Sequence, residues 1–78
     1  MATLIPFHEL KTGQIYFEEF KAGTACISCL VVNRIDDTQV NMRYGRACPW
    51  NQKTSADNKF RYWDAMPSED EKKAAKWE

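Results

Sequence analysis

The chain predicts a mainly β fold: a small antiparallel four-stranded barrel or strongly bent sheet with a short C-terminal α-helix. Three observations carry this. Apolar, aromatic and β-branched residues gather in short stretches, several of them alternating with polar residues at period two. Glycine and aspartate clusters punctuate those stretches at hairpin distances. Helix signals are concentrated after Ser68.

Residues 5 to 12 read as a leading segment. Pro6 blocks early pairing, and Phe7 and Leu10 lie three apart, as in a single helical turn. Gly13 ends it. Gln14 to Phe20 is the first predicted strand, with Ile15, Tyr16, Phe17 and Phe20 around two acids. Lys21 to Thr24 forms a turn, with Gly23 where a positive φ is needed. Ala25 to Ile35 is the most apolar run. Its Ile27, Val31, Val32 and Ile35 favour a long central strand over a helix. Asp36, Asp37 and Thr38 turn the chain into a third strand over Gln39 to Arg46, where Val40, Met42 and Tyr44 alternate with Asn41 and Arg43.

Ala47 to Asn58 lacks periodicity and reads as a long loop, of the kind that is usually functional or mobile. Lys59 to Ala65 is the fourth strand, stopped by Met66 and Pro67. Ser68 then caps a helix over residues 69 to 77, with Glu71 completing a capping box and lysines toward the carboxyl end. Ala74 and Trp77 share the face that docks. A meander in the order 1-2-3-4, SH3-like in architecture alone, accommodates these elements.

Seventy-eight residues make one domain, 1 to 78. A chain of this size buries roughly 60–65 % of its unfolded surface and keeps about 3–5 kcal/mol of net stability. A catalytic cleft would compete with the core for the same side chains. Eleven basic residues balance eleven acidic ones, so the total charge gives no strong pull toward nucleic acid or anionic membranes. No apolar run approaches the roughly 20 residues that cross a bilayer. The N-terminus shows no basic leader, and the three cysteines cannot all pair internally. Both features predict a reducing, cytoplasmic setting.

Most chemistries can be set aside. Cys26 and Cys29 have the spacing of half a zinc site, with Cys48 and His8 to complete it. They lie in an apolar strand, however, where residues three apart point to opposite faces. Ordinary packing is therefore expected, with no metal and no cofactor. His8 is the only histidine, and nothing places a nucleophile beside it. Glu18 and Glu19 point apart on a strand, and Asp36 and Asp37 belong to a turn, so neither is a catalytic pair. Three glycines cannot write a phosphate loop. No enzyme is expected.

One segment stands out. Between Arg43 and Trp63 the cations Arg43, Arg46, Lys53, Lys59 and Arg61 face a single acid, Asp57, and aromatic rings are interleaved with them. If strands three and four pair, Arg43 and Arg61 share an outward face with Lys59 and Trp63, while Met42, Tyr44, Phe60 and Tyr62 turn inward. Arg46 joins the candidate contact set, and so does Trp50, beside Pro49 in the irregular loop, as an anchor for a partner or else a plug for one barrel end. Arginine and tryptophan are enriched at interface hot spots. The predicted function is a small non-catalytic protein-binding module that contacts a larger protein through Arg43, Arg46, Trp50, Lys59, Arg61 and Trp63. Phage and mobile-element products that inhibit or redirect host proteins are often of this kind. The alternative is a single-stranded nucleic-acid-binding domain using the same face. An exposed sheet edge would allow a homodimer as well as a monomer.

Overall fold

The computed structural model describes residues 1–20, 26–45, 48–58 and 60–75, with side chains at all of these but 48–50. The chain builds one antiparallel sheet of six strands and one short helix. The strands are β1 (Leu4–Ile5), β2 (Ile15–Glu19), β3 (Cys26–Asp36), β4 (Gln39–Tyr44), β5 (Cys48–Ser55) and β6 (Arg61–Trp63). A 3-10 turn over Phe7–Glu9 follows β1, and α1 spans Glu69–Ala74.

The strand order is β1-β6-β2-β3-β4-β5. β2 to β5 run as a meander, and β6 returns to lie beside β2. The last expected strand therefore adds to the far side of β2 and does not follow β4 as in the four-strand meander expected, and the sheet does not close into a barrel among the described residues. Two further strands account for the difference. Leu4 and Ile5 pair with Trp63 and Tyr62, so Pro6 ends β1 without preventing it. The expected loop after Ala47 is largely β5, which pairs with β4 from Gln39↔Ser55 to Tyr44↔Cys48. Its Pro49 is tolerated because β5 is the outermost strand, where a missing N–H need not break a ladder.

Local signals set the connections. Gly13 adopts φ 85°, and its N–H donates to the Val31 carbonyl at 2.8 Å, extending the β2–β3 ladder past the strand. Asp36 Oδ1 accepts from the Thr38 N–H at 2.8 Å and its hydroxyl at 2.9 Å, fixing the expected β3–β4 turn. Arg34 Nη2 donates to the carbonyls of Phe7 and Leu10 and so ties the 3-10 turn to β3. The capping box forms as expected: Ser68 Oγ accepts from the Glu71 N–H, and Glu71 accepts from the Ser68 N–H. The helix expected over residues 69 to 77 ends at Ala74, with Ala75 already extended; the expected turn at 21–24 and Trp77 lie outside the described residues.

The sheet curls around its inner face. Leu10, Tyr16, Cys29, Val31, Val40, Met42 and Tyr62 form the core there, with Ile5, Phe7 and Tyr44 against it. The period-two alternation of β4 puts Val40 and Met42 inside and Arg43 outside, as its pattern predicts. Cys29 lies in this core, while Cys26 pairs across the ladder with Glu19 on the other face.

Candidate functional site

Strand alternation also separates Glu18 from Glu19, and both are buried. Glu18 points into the curl. Its Oε2 accepts from the Tyr44 hydroxyl at 2.6 Å and the Tyr62 hydroxyl at 2.8 Å. Tyr44 belongs to β4 and Tyr62 to β6, so one carboxylate oxygen gathers phenols from strands on either side of β2. Thr54 of β5 lies 3.2 Å from the Tyr44 hydroxyl, and Asn58 donates to Tyr62 at 3.1 Å. The network therefore spans β2, β4, β5 and β6.

Burial, the largest influence, raises the Glu18 pKa above its ordinary value of 4.5, and the two phenol hydrogen bonds partly offset the rise. Burial and the nearby Glu18 also raise both tyrosines above the usual phenol range. The same two causes push the Cys29 thiol up to about 12, which leaves it a poor nucleophile at neutral pH.

Glu18 forms the floor of a pocket of about 480 Å³. Tyr44, Thr54 and Asn58 continue the polar floor, and Phe20, Ile27 and Phe60 supply the apolar wall. The Phe20 and Phe60 rings meet edge to face at 4.7 Å. Ile27 and Phe60 are also among the large apolar residues left exposed. Pockets of this size, mostly apolar with a few convergent polar groups, are the usual form of a binding site.

Glu19 points to the outer face and does a different job. Its Oε1 lies 2.8 Å from both Nε and Nη2 of Arg61 and accepts from the Trp63 indole N–H at 2.9 Å. Arg61 also donates to the carbonyls of Lys72 and Ala75, and its guanidinium lies over the Trp63 ring. This cluster fastens α1 to the sheet.

The expected guanidinium face is corrected by these positions. The fourth expected strand pairs with β1 and β2, not with β4, so β2 and β3 separate Arg61 from Arg43. Trp63 is 2 % exposed, and Arg61 is spent on Glu19 and the helix. Both are structural because α1 covers this part of the outer face. Arg43 does point outward, where it donates to Asn51 at 3.1 Å. Phe60, expected inside, is exposed at the pocket rim. Arg46, Lys59 and the Trp50 side chain lie outside the described residues.

Sequence reasoning placed Tyr44 and Tyr62 inward but missed the acid they hold. The available signal was an acid inside an aromatic strand, at the position that alternation places on the same face as Tyr16. Among the described residues there is no group of three metal-ligating side chains, and no helix is long and apolar enough to cross a membrane. No family model, curated protein or solved structure matches the chain.

Proposed function

We propose that this protein is a small non-catalytic module that binds a larger protein, and that it does so at the mouth of the Glu18 pocket. One observation carries the reading: exposed Ile27 and Phe60 converge with Phe20 on a pocket bordered by β5, an edge strand of the sheet. Apolar groups rimming a polar-floored recess are characteristic of interface cores. Outer strands also offer backbone for pairing with an added segment. Arg43, on the strand that pairs with β5, and Trp50, within β5, stay in the proposed contact set. An inhibitor or modulator of a host protein, in a reducing cytoplasm that keeps Cys26 and Cys29 as free thiols, is the role this plain architecture fits.

The test is affinity capture of the full chain from lysate of its source cells, with nuclease treatment. A stoichiometric protein partner should survive nuclease and be lost with Phe60→Ser. Loss on nuclease treatment, together with retention of a single-stranded oligonucleotide at about 50 mM salt, would transfer the function to nucleic acid. Capture that is indifferent to Phe60→Ser would remove the pocket mouth from the interface.

A further inference from the structure

The pocket floor has a chemical preference that the contact surface alone does not specify. Both phenols bond Oε2 of Glu18. Oε1 has no hydrogen-bond partner among the described residues. No fully buried polar side-chain atom there lacks a partner, so Oε1 keeps some accessible surface, and Glu18 lines the pocket. Glu18 is 1 % exposed. The result is a nearly sealed carboxylate with one oxygen fixed by two donors and the other keeping some accessible surface.

We propose that this pocket binds an organic ammonium group carried on an apolar stem. The cation would sit against Oε1 while the stem lies along Phe20, Ile27 and Phe60. Geometry and charge both support this. Glu18 is the one carboxylate among the described lining residues. The two phenols are donors that cannot themselves neutralise it. A cation gains more from a carboxylate as withdrawn from water as Glu18 than from one in bulk water. Aromatic rings at the wall add to the attraction for a cation.

The other groups facing Glu18 are compatible with this ligand. Cys29 of β3, Tyr44 of β4 and Tyr62 of β6 are neutral at pH 7, given their raised pKa values. Lys53 of β5 lines the wall but makes no ion pair with Glu18 among the described residues. A free amine and a partner's lysine side chain offer the same chemistry. The inference uses the same pocket as the proposed protein contact, but the two can fail separately.

The experiment is an NMR amide titration of the full chain with phenethylammonium, 2-phenylethanol and phenylacetate at pH 8. Phenethylammonium should move Glu18, Tyr44 and Thr54 amides saturably and bind at least about tenfold more tightly than the neutral alcohol, since one decade is about 1.4 kcal/mol. Its affinity should rise with pH in step with ionisation of the Glu18 carboxyl, followed by carbon-13 shift. Glu18→Gln should remove both the preference and the pH dependence. If that variant does not fold, the wild-type pH profile decides alone. Equal binding of amine and alcohol, tighter binding of phenylacetate, no saturable shift, or a flat pH profile would each overturn the proposal. A second arm compares the peptide acetyl-Thr-Val-Lys-Val-Thr-amide with its norleucine counterpart. Preference for lysine with β5 amides shifting identifies a side-chain source, and binding of phenethylammonium alone identifies a free amine. A captured partner that Glu18→Gln retains at full strength would leave the protein-binding reading standing and remove the ammonium from that contact.

Discussion

Replacing Arg61 by alanine should unfold much of this protein rather than merely erase a contact. Arg61 and Glu19 side chains are 9 % and 4 % exposed, so solvent screens their attraction very little. The guanidinium sends Nε and Nη2 to Glu19 Oε1 and reaches the carbonyls of Lys72 and Ala75 at the end of α1. Hydrogen bonds to charged groups contribute about 1.5–3 kcal/mol each. Removing one partner of a buried pair costs about 3–5 kcal/mol, because the other charge is left without compensation. That loss equals the whole net stability of about 3–5 kcal/mol expected for a domain of this size. Urea unfolding followed by far-ultraviolet circular dichroism should therefore show Arg61→Ala largely unfolded before denaturant is added. Arg61→Lys should fall between, since it keeps the charge but loses the planar set of donors. Glu19→Ala combined with Arg61→Ala should be less damaging than the two single losses added together. An Arg61→Ala midpoint within about 0.5 kcal/mol of wild type would refute the account of the outer face and return Arg61 to the solvent.

Three further outcomes are expected. A group whose acid form is favoured in the folded state contributes stability at low pH that is lost as pH rises. Glu18, raised above 4.5, should therefore make the fold less stable from about that pH up through its folded value, and Glu18→Gln should flatten that decline. Lowered Asp36 and Glu71 act in the opposite sense and are common to both chains, so the difference between their urea midpoints across pH isolates Glu18; parallel curves would show the carboxyl is not shifted. Met42→Ala, at a fully buried position, should cost about 2–5 kcal/mol, whereas Phe60→Ser, at an exposed ring that touches Phe20, should cost about 0.5–1.5 kcal/mol, and similar thermal shifts would contradict the core assignment. Ser68→Ala should cost about 1 kcal/mol of helix stability, read as faster exchange of the Lys72 and Ala75 amides, with unchanged exchange showing that the cap is idle.

What was legible in the sequence was local. Two strands and a turn follow from alternation and from Asp36, whose side chain bonds the backbone two residues on. The capping box needs only Ser68 and Glu71 at the right spacing. What was hidden depended on partners distant in sequence. β5 holds a proline, two amides and a lysine, which are poor strand formers, and it is a strand because β4 offers it a ladder. β1 is two residues long and exists because β6 is beside it. The pairing of β6 with β2 rather than β4 followed from no local feature. It removed the guanidinium face and created the tyrosine pocket in one step, because it brought Tyr62 across to Glu18 and Arg61 across to Glu19.

The two adjacent glutamates show why β2 was the hardest element to read for function. A strand with one wet face shows its acids on that face, and the pattern then names the core. β2 is covered on both sides, by the curl of the sheet within and by Trp63, Arg61 and α1 without, so neither acid marks a solvent face. The same alternation that rules out a Glu18–Glu19 catalytic pair assigns each carboxylate to a separate interior. Their partners then decide their roles. Glu19 meets a guanidinium, which matches its charge, and that cluster is complete within the chain. Among the described residues Glu18 meets only phenols, which donate hydrogen bonds but carry no charge, and it lines a pocket. A buried charge is stable when paired and costly when left alone. The difference between those two partner sets, not the acids themselves, separates a completed ion pair on the outer face from a carboxylate beneath a pocket on the inner one.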